Sequence, residues 1–355
     1  MLFSMVLYEG EKIINNRFGI GLVLFLSMTM GLLLANITDI GTAQINDNQH
    51  TAWNLYQSDS NLVRRGMAAA YDSQRQVVVM FGGFDNQDNV DNETWEFDGT
   101  SWQQVIPVHS PSIRFWHSMT YDNQRHVVVL FGGRNEQGDY FNDTWEYDGV
   151  DWEQAAPLHA PVNRAGFGMT YDSCRQKVVL FGGGEFPQGT WEYDGTDWQE
   201  IAVSTHPEGL FLTAMTFDTI RCRVVLFGGD GGGAIGEDET WEYGGENWVL
   251  INTTTSPIAR WGHALAFDPQ RGKTVLFGGY GPQWGSGDAL GDTWEYDGVN
   301  WVETSPAVSP AANEQQIMVY EGSLEKILLF GGFGSGETWL YGNEYSIYLP
   351  LVVKP

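Results

Sequence analysis

The chain has few basic residues for its size. Its 355 residues contain 18 Lys and Arg against 45 Asp and Glu, which gives a formal net charge of −27 at pH 7. Proteins that bind nucleic acid need clustered positive charge to hold the phosphate backbone, and no run of Lys or Arg occurs in this sequence. The composition therefore predicts that nucleic acid is not a partner.

Long hydrophobic runs are also scarce, with the exception of residues 18–35 near the N-terminus. Lys12 and Arg17 precede this run, and Gly41-Thr42-Ala43 follows it with the small residues that a signal peptidase prefers. Residues 1–43 are predicted to be a signal peptide, so that the mature chain begins near Gln44 and is secreted or held at the cell surface. The alternative is an uncleaved anchor, which would be the only contact with a membrane.

One segment recurs through most of the chain. Phe-Gly-Gly followed by Thr-Trp occurs six times, at intervals of about 50 residues, which indicates a repeated supersecondary unit. The Phe-Gly-Gly triplets begin at Phe81, Phe131, Phe181, Phe227, Phe277 and Phe330.

Each unit has the pattern of four antiparallel strands, here named a to d. In the second unit, residues 118–121 are β-formers, and residues 127–131 form an apolar run typical of a strand buried on both faces. A loop of variable length leads to residues 144–147, and an Asp148-Gly149 turn then leads to a strand that begins with Trp152. Four strands in this length correspond to one blade of a β-propeller.

The glycine doublet after strand b, and the Tyr and Trp of strands c and d, resemble the Kelch repeat. Tyr147 and Trp152 are one such pair, and residues 142–149 (Asn-Asp-Thr-Trp-Glu-Tyr-Asp-Gly) are similar to the subgroup described as the galactose-oxidase central domain. The resemblance implies an all-β, six-bladed propeller over residues 62–345. Propellers of this family are binding platforms, adhesion domains and occasionally enzymes.

Two segments could close the ring of blades. Residues 44–61 contain a strand-d-like segment around Trp53, which we expect to pair within the last blade, with the C-terminal tail, residues 346–355, added outside it. The alternative is closure by the last unit's own continuation, beginning at Tyr345.

Cysteine is nearly absent. Cys174 and Cys222 lie near equivalent turns of adjacent units but at different offsets from Phe-Gly-Gly. A disulfide needs Cα atoms within about 7 Å, so we favour two free buried thiols and keep a disulfide as the alternative.

Two charged residues recur in five of the six units, and both are replaced by Leu in the sixth. A carboxylate between packed blades would be costly without a partner, so we interpret them as structural ion pairs. They are Glu96, Glu146, Glu192, Glu242 and Glu295 in strand c, and Arg75, Arg125, Arg175, Arg221 and Arg271 after the a–b turn.

The binding surface is predicted on the face that carries the b–c and d–a connections, because those loops vary while the a–b and c–d turns are nearly constant. The large or charged residues of this face suit a protein or glycan ligand. The candidate ligand-binding residues are Trp116, Arg134, Tyr140, Trp261, Trp284, Arg114 and Arg260.

The remaining polar groups do not form a recognisable catalytic or metal site. The acids at positions 85, 88, 91 and 93 fit no defined calcium loop, and the recurring His109, His159 and His206 belong to different blades. His117 and His263 are expected to be packed inside the ring. No metal, cofactor or catalytic residue is predicted, and copper chemistry of the galactose-oxidase type is rejected because both cysteines lie opposite the variable loops.

The sequence therefore favours an exported, non-catalytic binding module. One alternative is a carbohydrate-active enzyme such as a sugar mutarotase, which would need only an Arg or Glu in the channel. The other is a structural surface or adhesion component.

Overall fold

The computed structural model describes residues 44–45, 50–59, 61–184, 189–231, 237–282, 288–344 and 347–348. The predicted signal segment and Trp284 lie outside these ranges. No helix in the described ranges is long and apolar enough to span a membrane.

The described elements are strands, and residues Thr51–Gly342 form one compact unit. In chain order the strands are β1 (Gln44–Ile45), β2 (His50–Ser58), β3 (Ala68–Asp72), β4 (Val77–Phe81), β5 (Thr94–Phe97), β6 (Trp102–Val105), β7 (Ser118–Asp122), β8 (Val127–Phe131), β9 (Thr144–Tyr147), β10 (Trp152–Ala155), β11 (Phe167–Asp172), β12 (Lys177–Gly182), β13 (Thr190–Tyr193), β14 (Trp198–Ile201), β15 (Ala214–Asp218), β16 (Arg223–Phe227), β17 (Thr240–Tyr243), β18 (Trp248–Ile251), β19 (Ala264–Asp268), β20 (Lys273–Phe277), β21 (Thr293–Tyr296), β22 (Trp301–Thr304), β23 (Gln316–Glu321), β24 (Lys326–Gly331), β25 (Glu337–Glu344) and β26 (Ile347–Tyr348).

These strands form six four-stranded antiparallel sheets, which confirms the predicted six-bladed β-propeller. Blades 1 to 5 each contain four consecutive strands, beginning with β3, β7, β11, β15 and β19. The first strand of each blade lies innermost and contacts the first strands of both neighbouring blades.

The sixth blade closes the ring with a strand from the other end of the propeller. Its strand order is β2-β25-β24-β23, so the N-terminal strand β2 supplies strand d, as the sequence predicts. Strand β26 pairs with β1, with Gln44 opposite Tyr348. Most of the C-terminal tail lies outside the described residues.

Strand b is the core of each blade. In β8, Val128 to Phe131 have no solvent exposure, and the equivalent side chains of the other blades are nearly as buried. The strand is apolar on both faces because each face packs against another blade, which explains why it does not alternate between polar and apolar residues.

A Trp–Thr hydrogen bond joins every pair of neighbouring blades. The first Trp of strand d donates from its indole Nε1 to the hydroxyl of the first Thr of strand c in the preceding blade, at 2.9 to 3.0 Å. The six pairs are Trp102–Thr338, Trp152–Thr94, Trp198–Thr144, Trp248–Thr190, Trp301–Thr240 and Trp53–Thr293. The last pair uses the ring-closing strand, so the set has no break.

The recurring Arg and Glu form ion pairs within each of the first five blades. In blade 2, Arg125 donates from Nε to Asp122 at 2.7 Å and from Nη1 to Glu146 at 2.6 Å. Tyr193 of blade 3 donates its hydroxyl to the same Glu146 oxygen at 3.0 Å. Gly195, at the c–d turn of blade 3, lies so close to Arg125 that an added Cβ would be 2.5 Å from Nε. The ion pair is therefore also an inter-blade contact.

A disulfide joins the a–b turns of blades 3 and 4. Cys174 and Cys222 are bonded, with their Cα atoms 6.0 Å apart. The expectation of two free thiols is therefore wrong. The offset of each cysteine from Phe-Gly-Gly does not measure the distance between turns of neighbouring blades, and the Cα separation is within the range that a disulfide needs.

The first prediction tests the ion pairs. Glu146→Ala should lower the free energy of unfolding by about 3 kcal/mol, because it leaves Arg125 half-buried without its carboxylate and removes the acceptor of Tyr193. Tyr140→Ala, in a loop of the same blade, should cost under about 1 kcal/mol. Denaturant titration of both variants measures the difference, and a larger loss for Tyr140→Ala would contradict the structural assignment of Glu146.

Candidate binding site at the channel mouth

The six inner strands surround a central channel with a cavity of about 450 Å³. Its lining runs from residues such as Met67 and His117 to the a–b turns at Ser73 and Asn123. The residues at the other end, on the side of the b–c loops, do not line the cavity.

A closed ring of backbone hydrogen bonds surrounds the end of the channel on the side of the b–c loops, which we call the channel mouth. At the start of each strand a, one residue donates its N–H to the carbonyl of the equivalent residue in the preceding blade, at 2.7 to 3.1 Å. The six mouth residues, in blade order, are Gly66, Trp116, Gly166, Leu212, Gly262 and Gln315. Gly66 accepts from Trp116 and donates to Gln315, which completes the circle.

All six mouth residues have positive φ, between 51° and 67°. Glycine adopts this conformation at no steric cost, but Trp116, Leu212 and Gln315 do not. These three belong to alternate blades, and the glycines between them leave room for their side chains. A Cβ on Gly66 would lie 3.3 Å from the Trp116 indole. Strained non-glycine residues of this kind are concentrated at functional sites.

The Trp116 side chain lies across the mouth. Its indole Nε1 donates to the side-chain oxygen of Gln315 at 3.0 Å, which connects blade 2 to blade 6. The indole also makes an edge contact with Phe211 of blade 4, with ring centroids 5.3 Å apart. Trp116 is only half-buried. One face of the propeller therefore has an aromatic surface at its centre.

Arginine and aromatic side chains extend this surface over blades 1 and 2. The Arg134 guanidinium lies 5.4 Å from the centroid of Phe115, 5.8 Å from Trp116 and 5.2 Å from Tyr140. The Arg65 guanidinium lies 4.1 Å from the centroid of Phe84, whose ring packs at a tilt against Phe115 with centroids 4.4 Å apart. The predicted residues Trp116, Arg134 and Tyr140 are thus brought together.

Blades 5 and 6 supply a different set of side chains. Trp261 packs on Tyr280 with centroids 5.2 Å apart, while Glu314 precedes the mouth residue of blade 6. Burial raises the pKa of Glu314 above its usual value. In blade 3, Ala165 stands at the position of Trp261 and Gly184 at the position of Tyr280. The side chains around the mouth therefore differ from blade to blade. Trp261, predicted to contact ligand, is 1% exposed, so we assign it to the scaffold.

The sequence interpretation missed Arg65, Phe115, Phe211 and Gln315. Each of them is a mouth residue or immediately precedes one, and the variation at these two positions between units was the available signal.

Arg114 and Arg260, predicted to contact ligand, are fully buried clamps. Arg114 binds both oxygens of Asp143 at 2.7 and 2.8 Å and the carbonyl of Gly132 at 2.9 Å. Arg260 binds both oxygens of Asp292 at 2.7 Å in the same way. Both side chains have no solvent exposure, so we assign them to the scaffold.

The histidines at the start of strand a are packed and uncharged. His117 and His263 are 5% exposed, and each makes an edge contact with the Phe that ends strand b of the preceding blade. Burial lowers the pKa of both to about 3, and Arg114 and Arg260 add to the effect.

The d–a connections do not lie wholly on the predicted face. His109 and His159 bind Asp151 and Asp197 in the c–d turn of the next blade, through Nδ1 at 2.7 and 2.8 Å. The first half of each connection thus contacts the outer edge of the next blade, and only the second half reaches the mouth. This corrects the assignment of whole loops to faces.

The acidic b–c loop of blade 1 is held by its own contacts. Asp85 accepts from the backbone N–H groups of Gln87 and Asn89 at 2.7 and 2.9 Å, and Asp88 pairs with Arg65 at 2.9 Å. Among the described residues, no three His, Cys, Asp or Glu side chains are grouped so that they could hold a metal ion.

The fold resembles that of a solved protein. The structure of YjhT matches with a TM-score of 0.63 at 14% sequence identity, over 83% of this chain and 99% of that one. At this identity the match shows the propeller fold alone. No family model and no curated protein sequence matches the chain.

The second prediction concerns pH. In the unfolded chain each His binds a proton below pH about 6.5, whereas buried His117 and His263 do not until pH about 3. Their contribution to stability should therefore fall as pH decreases from about 6.5, by up to about 1.4 kcal/mol per pH unit for each His.

The variant His117→Gln/His263→Gln isolates this contribution, since Gln316 is the natural equivalent in blade 6, where it donates to the Phe277 carbonyl at 3.0 Å. Chemical denaturation at pH 7 and pH 5 should show a smaller loss of stability for the variant than for the wild type. Equal losses would show that both histidines bind protons in the folded protein.

Proposed function

We propose that the protein is an exported, non-catalytic binding module of the Kelch type, with a protein or glycan ligand held at the channel mouth. The observation that supports this proposal is a contrast between two sets of residues. The residues that join neighbouring blades repeat around the ring. The residues around the mouth differ between blades and include Arg, Phe, Trp, Asp and Glu, whereas blade 3 has only Ala and Gly there.

The ligand chemistry follows from Trp116 and its neighbours. The partly exposed indole of Trp116 provides a flat apolar face at low cost in side-chain entropy. The amide of Gln315, the guanidinium of Arg134 and the hydroxyl of Tyr140 surround it with hydrogen-bonding groups. Apolar surface with a few convergent polar groups is typical of a binding site.

Export is supported by two observations. The N-terminal sequence has the order of a signal segment, and the Cys174–Cys222 disulfide is a bond that persists in oxidising compartments. Disulfides are rare in reduced cytoplasmic proteins, so both observations support our proposal that the mature chain acts outside the cytoplasm.

Glu314 is the observation that favours the alternative of a sugar mutarotase. It adjoins the mouth, and the raised pKa of its carboxyl is a property of acid–base catalysts. In this function a sugar would lie on the indole with a ring oxygen near the carboxyl. The same surface serves both functions, and turnover distinguishes them.

The third prediction tests the mouth. Trp116→Ala should weaken binding of a ligand identified on glycan and cell-surface-protein arrays by about 1 to 3 kcal/mol, which is the scale of an anchoring aromatic. Asn123→Ala, in an a–b turn, is the control and should leave affinity unchanged. Calorimetry measures both.

Loss of affinity in Asn123→Ala but not in Trp116→Ala would place the site at the opposite end of the channel. Interconversion of sugar anomers by the wild type, abolished in Glu314→Gln, would replace the binding module by the enzyme.

A further inference from the structure

A carboxylate follows the b–c loop in five of the six blades, and the Trp of strand c donates to it. The Nε1–O distances are 2.7 to 2.9 Å, and the pairs are Trp95–Glu93, Trp145–Asp143, Trp241–Glu239, Trp294–Asp292 and Trp339–Glu337. In blades 2 and 5 the buried Arg at the start of strand a binds the same carboxylate. One Asp143 oxygen thus accepts from Arg114 Nη2 at 2.8 Å and from Trp145 Nε1 at 2.7 Å.

Blade 3 has both donors but no carboxylate. Arg164 and Trp191 are equivalent to Arg114 and Trp145, while Gly189 stands at the position of Asp143. Arg164 donates from Nε to the Val162 carbonyl at 3.1 Å and from Nη1 to the Gly182 carbonyl at 3.0 Å. Its Nη2, which in blade 2 binds the aspartate, has no acceptor within the described part of the chain, and neither does Trp191 Nε1.

The unpaired cation is deeply buried. Arg164 is 2% exposed, and burial lowers its pKa to about 10, so that it remains charged at neutral pH. A buried charge without a partner is costly. Two independent donors are directed at the position that a carboxylate occupies in five other blades, so an anion there would give both of them a partner.

Solvent can reach this position. The equivalent carboxylates are partly exposed, with 19% of the Asp143 side chain and 23% of the Asp292 side chain accessible. Glu200 of strand d approaches from outside, since its Oε1 would lie 2.5 Å from a Cβ built on Gly189. It forms no ion pair with Arg164, although its charge favours the guanidinium. Glu200 is an exposed, flexible side chain that can yield to another carboxylate.

We propose that Arg164 and Trp191 form a binding site for one carboxylate group that comes from outside the chain. The group binds as Asp143 does in blade 2, with one oxygen between the Arg Nη2 and the Trp Nε1 and the second oxygen on the other guanidinium nitrogen. The carboxylate belongs to a small organic acid or to a larger ligand that covers blade 3. This site is separate from the channel mouth, and its existence does not depend on the function proposed there.

The test uses a substitution that fills the site. Gly189→Asp supplies the carboxylate found in blades 2 and 5. The backbone at Gly189 is not in the left-handed region, and the Asp is accommodated when the end of the flexible Glu200 side chain, 2.5 Å from the new Cβ, moves aside. The variant should unfold at a temperature about 2 to 4 °C above the wild type, because Arg164 and Trp191 gain their partner.

Acetate is the probe, and acetamide is its uncharged counterpart of the same shape. At constant ionic strength, adjusted with sodium chloride, acetate should raise the unfolding temperature of the wild type and acetamide should not. Gly189→Asp should show no acetate-specific shift. Trp191→Phe, which keeps the arginine but removes one donor, should require several-fold more acetate for the same shift.

The variant Glu200→Gln shows whether the Glu200 carboxylate competes with acetate for the site. Its unfolding temperature should rise at a lower acetate concentration than that of the wild type. An acetate-specific shift of equal size in the wild type and in Gly189→Asp would overturn the proposal, as would no shift in the wild type. A shift with chloride as large as that with acetate would contradict carboxylate recognition.

A carboxylated ligand found on the arrays is then compared with acetate. If it binds more tightly than acetate, and if this binding is lost in Gly189→Asp, the ligand is the source of the carboxylate group.

Discussion

The contact between neighbouring blades is the constraint on which the structure depends. Each blade buries strand b on two faces and has no hydrophobic core of its own, so it is stable only between two others. The indole of Trp152, hydrogen-bonded to Thr94 and packed on Phe81, is one such contact. Because the bonds continue through Trp53 and Thr293, no blade is left with an uncovered face.

Closure by β2 joins the two ends of the propeller. The strand that completes blade 6 comes before blade 1 in sequence, so the chain cannot open at this seam without breaking β-pairing within a blade. The Cys174–Cys222 bond adds a covalent link between blades 3 and 4, on the other side of the ring. Both features resist separation of blades, which is the mode by which a closed repeat protein would unfold.

The same closed ring creates the candidate site. Six equivalent backbone positions meet at the channel mouth, and symmetry alone would place a small residue at each. The chain departs from this pattern at Trp116, Leu212 and Gln315, which hold positive φ values that glycine would adopt without strain. The departure is tolerated because the ring of hydrogen bonds fixes the backbone independently of the side chain.

Recurrence explains what the sequence could predict. The period of Phe-Gly-Gly, the apolar strand b and the strand-like residues around Trp53 predicted the propeller and its closure, because every blade meets the same packing problem. The pairing of Glu146 with Arg125 was predictable for the same reason. These inferences required only local pattern and the rule that buried charges are paired.

Structural features that occur in only one blade could not be predicted from recurrence in the sequence. Bonding of Cys174 to Cys222 depends on how the a–b turns of blades 3 and 4 face each other, and the clamp around Arg114 required knowing that Asp143 folds back onto it. The path of Trp116 across the mouth depends on the room that Gly66 leaves in the adjacent blade. Each of these is set by a three-dimensional neighbour that is distant in sequence.

The central claim is that recurring residues hold the ring together and that the varied residues at the mouth recognise a ligand. Its most direct test is the triple variant Phe115→Ala, Trp116→Gly and Arg134→Gly, which gives blade 2 the mouth residues that blade 3 has naturally at positions 165, 166 and 184. Array binding is measured for the variant and the wild type at protein concentrations where both are folded. The account predicts a variant that still folds, with an unfolding temperature lowered by loss of the buried Phe115 ring, and that no longer binds the wild-type ligand, whereas retained binding to that ligand would contradict it.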